Sequence, residues 1–458
     1  MVLVIKNAKI VFPDRVFEGG VVVDNGRIVD VIGNGRLPSA DEVIDAKGLY
    51  LLPGLVDVHT HFSEPGASSG EDWKTGSAAA AAGGVTTVLS MPGTQPPATT
   101  VMLLAEKKAM ASSQSMVDYG FHFAASIDNA DEIRKVEKVA SVKFQMSSTA
   151  GSFPVHGDHI FMDEMKVRND YVLFEDLKIL AGKRLLATVH AENNAMIEYL
   201  KDKLIKAQRN DPMAYAESRP PLCAAEAAGR AALLARIAGA RIHMCHVSSA
   251  REVEVLARNK NSQSLSSEAA LHHLFLSAKD LKERGSILKT IPPLRTPEDR
   301  EALWKGVQNG VVDIITSDHM PYLPESKEGS IWTAAAGLPG IETMLPLLLN
   351  EVNKKNLSIN TLVCATAENP ARIFEIKNKG RIEAGFDADM VLVDLDREDV
   401  IKNDSLYTNC GWSPYDGWKV KGAVVKTILR GKVIYDNGEL QYGTPELNRI
   451  KGQEVDYE

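Results

Sequence analysis

The chain has 458 residues, 44% of them hydrophobic, with 52 basic against 60 acidic residues and a formal net charge of −8. That length and apolar content exclude a disordered chain and allow a large buried core with more than one structural unit. No long run of one charge sign occurs, which excludes a nucleic-acid footprint and a polybasic membrane patch and points to small neutral or weakly charged partners.

The N-terminal Met1-Val2-Leu3-Val4-Ile5-Lys6 lacks the basic region, long apolar stretch and cleavage site of an export signal. No apolar run nears the ~20 residues that span a bilayer. The four cysteines, Cys223, Cys245, Cys364 and Cys410, are far apart and form no CxxC pair. We therefore expect a cytoplasmic protein whose reduced thiols act as small buried apolar residues. Residues 1–52 alternate apolar and polar positions, and Asn25-Gly26 within Val21-Val22-Val23-Asp24-Asn25-Gly26-Arg27-Ile28-Val29 signals a two-residue hairpin in a small antiparallel sheet. The same texture returns over 388–394 and 424–435, where Asp436-Asn437-Gly438 forms the next turn.

Between about 53 and 375 short apolar strands alternate with helical stretches. A strand over 84–90 follows the alanine-rich 78–82, which reads as a helix packed closely on a sheet. Strands over 185–190 and 241–246 follow helices over 170–182 and 224–240, and another strand falls at 311–317. This βα alternation predicts an α/β fold with a parallel barrel of eight βα units, for which ~250 residues is typical; a doubly wound sheet is the alternative. The barrel is preferred because the chemistry-bearing residues lie at the C-terminal ends of strands, where barrel active sites sit. Segments 147–170 and 320–336 read as long loops over that face.

Those residues begin with Val56-Asp57-Val58-His59-Thr60-His61. Side chains two apart share one strand face, so His59 and His61 can grip one metal ion. Lys143 ends the strand Ser141-Val142-Lys143-Phe144-Gln145; such a lysine usually snorkels to solvent, but an uncharged amine can add carbon dioxide and give a carbamate that bridges two metal ions. His190 in Thr188-Val189-His190-Ala191-Glu192 and His246 in Met244-Cys245-His246-Val247 each close a strand. Asp318 in Thr316-Ser317-Asp318-His319 would, taken alone, be a helix N-cap. Recurring on successive strand ends, His59, His61, Lys143, His190, His246 and Asp318 supply six ligands. That number suits two Zn²⁺ ions ~3.5–4 Å apart, bridged by the carbamate and a hydroxide, and the implied reaction is hydrolysis.

These residues resemble the amidohydrolase superfamily, and within it the cyclic-amidase branch of hydantoinases, dihydropyrimidinases, allantoinases and dihydroorotases. The resemblance runs through nearly the whole chain. It rests on Pro53-Gly54-Leu55-Val56-Asp57-Val58-His59-Thr60-His61, Ala79-Ala80-Ala81-Ala82-Gly83-Gly84-Val85-Thr86-Thr87, His190-Ala191-Glu192-Asn193, His246-Val247-Ser248-Ser249, Pro292-Pro293-Leu294-Arg295, Ser317-Asp318-His319, Glu368-Asn369-Pro370-Ala371-Arg372 and Ser413-Pro414-Tyr415. It implies a (β/α)₈ TIM barrel over 53–375 and a small β-sandwich domain built from 1–52 and 376–458. It also implies that His59, His61 and Asp318 bind the more buried metal and His190 and His246 the second, with carboxylated Lys143, formed from CO₂ or bicarbonate, as the bridge. Asp318 would in addition carry a proton from the attacking hydroxide to the leaving amide nitrogen. Relatives are usually dimers or tetramers, so a homo-oligomer is expected.

The substrate is a small cyclic ureide on this reading. Dihydroorotases typically hold their substrate carboxylate with an arginine two residues after the His-x-His pair and an asparagine after Met-Pro; here those positions are Ser63 and Gly93. A bidentate arginine–carboxylate pair contributes ~1.5–3 kcal/mol, so its loss weakens selection for an acidic ring. Ile291 replaces a commonly polar residue, and Ser63-Glu64-Pro65-Gly66-Ala67 keeps only the middle of the allantoinase pattern. We therefore expect a hydantoinase- or dihydropyrimidinase-like enzyme, with dihydroorotase or allantoinase as the alternative. Leu271-His272-His273-Leu274 and Gly337-Leu338-Pro339-Gly340-Ile341-Glu342 favour dihydroorotase, although His272 and His273 are otherwise ordinary helix-edge residues. Gly337 is a candidate to offer backbone groups to the ring, and Tyr322, Ser147 and Met146 are candidate pocket residues. A hydantoinase-fold scaffold without catalysis is the reading from another class, and the full ligand set argues against it.

Overall fold

The computed structural model describes the whole chain except residues 34, 36–37, 67–69, 148–164, 166, 168, 261–263 and 442–450. The expected loop over 147–170 therefore lies almost wholly outside the described residues. The first five strands are β1 (Val2–Val11), β2 (Val16–Asp24), β3 (Arg27–Gly33), β4 (Glu42–Asp45) and β5 (Tyr50–Pro53). Asn25 and Gly26 turn β2 into β3 with φ of 48° and 80°, the left-handed pair that a two-residue hairpin matching strand twist requires.

Eight parallel strands follow, each hydrogen-bonded to the next in chain order. They are β6 (Leu55–Thr60), β7 (Val85–Ser90), β8 (Asp118–Ala124), β9 (Ser141–Gln145), β10 (Leu186–His190), β11 (Arg241–Met244), β12 (Leu265–Ala270) and β13 (Ile314–Thr316). Every residue of β6, β7, β8, β9 and β10 is buried, as strands covered on both faces must be. First and last strands meet through a parallel bridge between Thr60 and His319. Buried Asp57 ties them again, accepting from Thr316 Oγ1 at 2.5 Å and Ser317 N at 3.2 Å. The result is a nearly closed (β/α)₈ barrel.

The helix Trp73–Ala82 shows how the outer layer is held. Asp72 caps it in a capping box with Thr75, which satisfies its first free N–H groups. Ala79, Ala80 and Ala81 are fully buried on the barrel, and at Gly83 a Cβ would meet Ile341 O at 2.5 Å. Only small residues permit so close an approach.

The final strands are β14 (Met390–Val400), β15 (Lys419–Leu429), β16 (Lys432–Asp436) and β17 (Glu439–Leu440). With β1 to β5 they form a nine-stranded mixed sheet in which β14 pairs antiparallel with β5, so the two chain ends join directly. Leu3, Ile5, Ile10, Met390, Leu392 and Ile428 share its separate core.

Two expected strands are shorter than the apolar pattern implies. At 311–317 only Ile314–Thr316 is strand, because the N–H groups of Val311 and Val312 bond to Gly306 O and finish the preceding helix. At 241–246 the strand stops at Met244, and His246 takes a left-handed φ of 32°. No helix among the described residues is long and apolar enough to cross a membrane.

A buried charge cluster clamps the terminal sheet to the barrel. Lys379 Nζ lies 2.5 Å from Asp118 Oδ2 on β8, 2.6 Å from Asp389 and 2.9 Å from Asp387. Removing one partner of such a set strands the others in a low-dielectric interior, at a cost of about 3–5 kcal/mol. Lys379→Met is therefore expected to lower the urea unfolding midpoint markedly, whereas an unchanged midpoint would show that the clamp contributes nothing.

Candidate metal centre and active site

The barrel topology brings all six predicted ligands to one cavity. His59, His61, Lys143, His190, His246 and Asp318 all line it, and each is at least nine-tenths buried. His59 and His61 place Nε2 at 3.3 and 3.5 Å from Asp318 Oδ1. On the other side His190 Nδ1 faces His246 Nε2 at 2.9 Å. Between them, Lys143 Nζ donates to Cys245 Sγ at 2.8 Å. Asp318, like His246, holds a left-handed backbone, with φ of 45°. Such strain in residues other than glycine concentrates at functional sites.

A further layer of carboxylates fixes the rings. His59 Nδ1 contacts Glu268 Oε1, and the other Glu268 oxygen takes His243 Nε2 at 3.1 Å. Glu268 Oε1 also accepts the His246 N–H at 3.2 Å. His190 Nε2 lies 3.0 Å from Glu192 Oε2, which is itself paired with buried Arg219. A carboxylate on one ring nitrogen keeps the proton there and turns the opposite lone pair towards the cavity.

The two carboxylates favour positive charge at His59, while the neighbouring rings stay neutral. Burial pushes His61 down to about 4 and His246 well below its ordinary value, so both rings are neutral, the form that ligates metal. Burial also opposes a charged His59, but the Asp318 and Glu268 carboxylates outweigh it and push this imidazole up to about 10. Asp318 in turn is held far below the usual carboxylate range, His59 outweighing its burial. One ligand atom each from His59, His61 and Asp318 lies within 4.8 Å of the others. Nδ1 of His61 and of His246 is buried with no hydrogen-bond partner. Imidazoles and a carboxylate converging in this way fit a metal site.

The remaining predicted residues divide. Ile291 and Gly337 are on the cavity wall. Gly337 has φ of 157°, and a Cβ there would meet Met320 O at 2.5 Å. Its N–H is already given to Lys289 O at 3.0 Å and its carbonyl accepts from Lys327 Nζ at 2.7 Å, so it braces the wall. Ser63, Gly93, Ser147 and Tyr322 are absent from the described lining. Ser63 N donates to Glu71 O at 3.2 Å, Gly93 is buried in the turn after Met91, and Ser147 Oγ sits behind the wall at 3.1 Å from His190 Nε2. Tyr322, like Met320, packs against the Ala124 and Met165 cluster, and Met146 is buried, its N–H donating to His190 O at 3.0 Å.

Two expectations need correction. His272 is no ordinary helix-edge residue, because it lines the cavity beside Asp318. Cys245 is buried as expected but makes a polar contact with Lys143, so it is more than apolar filling. Glu268, His243 and Arg219 were not among the expected site residues, and Glu192 entered only as part of the His190-Ala191-Glu192-Asn193 motif. A glutamate inside the buried strand Leu265–Ala270 was the available signal, since buried carboxylates require partners.

A model of the amidohydrolase family matches residues 50–434. The dihydroorotase of Methanothermobacter thermautotrophicus is 34% identical over 433 residues, covering 94% of each chain. An allantoinase of Salmonella choleraesuis is 34% identical over 447 residues, covering 97% of this chain and 96% of its own. The solved L-hydantoinase (dihydropyrimidinase) of Arthrobacter aurescens superposes with a TM-score of 0.92 at 32% identity, covering 99% of both chains. With the barrel, the strand-end cluster of candidate ligands and these full-length likenesses in agreement, the chain belongs to the amidohydrolase family and, within it, to the cyclic-amidase branch.

Proposed function

We propose that this enzyme opens the ring amide of a neutral cyclic ureide, in the manner of a hydantoinase or dihydropyrimidinase, with two zinc ions. His59, His61 and Asp318 would hold one ion, His190 and His246 the other, and Lys143, carboxylated by CO₂ or bicarbonate, would serve both. Bound there, such a pair lowers the pKa of water and polarises a carbonyl.

The chain's own residues supply the rest. Asp318 directs Oδ1 at the His59 and His61 nitrogens, and its Oδ2 lies 3.9 Å from His272 Nε2 on the cavity wall. It takes a proton from the attacking water and gives it to the ring nitrogen as the C–N bond breaks and the new C–O bond forms. Glu268 and Glu192 hold the imidazoles of His59 and His190 in the orientation this needs. Ile291, Met320 and Ala336 make one side of the cavity apolar.

The observation that carries the substrate reading is the composition of the wall. Among the described residues it includes no arginine, and its one lysine is Lys143. An acidic ring would find no arginine there to pair its buried carboxylate, which is unfavourable. The full-length likeness to a dihydroorotase favours dihydroorotate as the second reading. A spectrophotometric panel of hydantoin, dihydrouracil, allantoin and dihydroorotate with zinc-loaded protein separates the two. Hydantoin or dihydrouracil is expected to be opened most efficiently, and turnover of dihydroorotate alone would overturn the proposal.

A further inference from the structure

His272 is a buried imidazole whose Nε2 has no hydrogen-bond partner. It stands on the cavity wall, with Nε2 3.9 Å from Asp318 Oδ2. Its place is rigid. The short helix Leu271–Phe275 starts directly after β12, and the His272 carbonyl accepts the Leu276 N–H at 2.9 Å. The neighbouring His273 ring lies 4.3 Å away, centroid to centroid, and its Nε2 donates to Pro292 O at 3.2 Å. A fixed, buried polar atom with no protein partner is an anomaly in a folded chain, and a ligand group is one of the few things that resolves it.

The chemistry of the surroundings selects the kind of group. A carboxylate facing Nε2 favours the tautomer with its proton on that atom, so His272 presents a donor and the partner must be an acceptor. A cyclic ureide carries, besides the carbonyl that is attacked, a second carbonyl oxygen in the ring plane. We propose that His272 Nε2–H donates to this second carbonyl, and so selects rings with two carbonyls over simple lactams. The inference rests on the proposed ureide substrate and adds to it a residue that reads the ring.

Binding and turnover test it separately with the ring that the panel selects, binding on metal-free protein, which does not open the ring, and turnover on zinc-loaded protein. His272→Leu removes the donor, whereas His272→Gln keeps an amide N–H near the position of Nε2. Calorimetry is expected to show about tenfold weaker binding for the leucine variant, near the effect of one hydrogen bond, and recovery to within about threefold of wild type for the glutamine variant. KM should rise by a similar factor while kcat and zinc content stay near wild type. Equal ring affinity in wild type and His272→Leu overturns the inference, as does a loss that glutamine fails to recover. A ring that binds in a His272-dependent way without being hydrolysed by the zinc-loaded protein contradicts the proposed function and leaves this inference standing.

Discussion

Asp318→Asn is expected to lower kcat by about 10³-fold or more, with the circular dichroism spectrum unchanged. Asparagine matches the carboxylate in shape, so the left-handed turn at 318 and the barrel closure beside it are retained. What disappears is the ability to accept a proton. A positioned acid–base group is worth about 10²–10⁴ in rate, and the same carboxylate is one of the groups converging on His59 and His61. The assay is steady-state turnover with zinc quantified in the same sample. A variant with full zinc content and a rate within tenfold of wild type would contradict the proton-carrying role.

Lys143→Ala should produce the largest change in metal content. Its ammonium would be poorly suited to a site already lined by imidazoles, whereas the proposed carbamate at that position would supply negative charge and oxygen donors between the two histidine pairs. Wild-type zinc loading is therefore expected to improve with bicarbonate, and loading of the alanine variant to be indifferent to it. Because altering outer-shell partners already costs about 10–100-fold in metal affinity, losing the shared group should cost more and abolish measurable turnover. Two equivalents of zinc and normal activity in Lys143→Ala would rule out the bridging role.

Much of this architecture was legible because it is written locally. Alternating apolar strands and helical stretches announce the barrel, Asn25-Gly26 announces its hairpin, and a histidine or aspartate ending an apolar strand announces a site. The supporting layer is not local. His59 and Glu268 are 209 residues apart, and no pattern around either names the other. Lys379 and Asp118 meet across 261 positions for the same reason. His272 was misread because a histidine on a short helix is uninformative until the strand before it is placed beside Asp318. Gly337 shows the converse: the glycine run marked a real constraint, yet only the close approach of Met320 reveals that the constraint is steric.

Anomalous diffraction at the zinc edge, from crystals grown with zinc and bicarbonate, tests the central claim most directly. The expected result is two peaks, one among His59, His61 and Asp318 and one beside His190 and His246, with added density on Lys143 Nζ. No peak in this cavity, or zinc bound only elsewhere, would contradict the account.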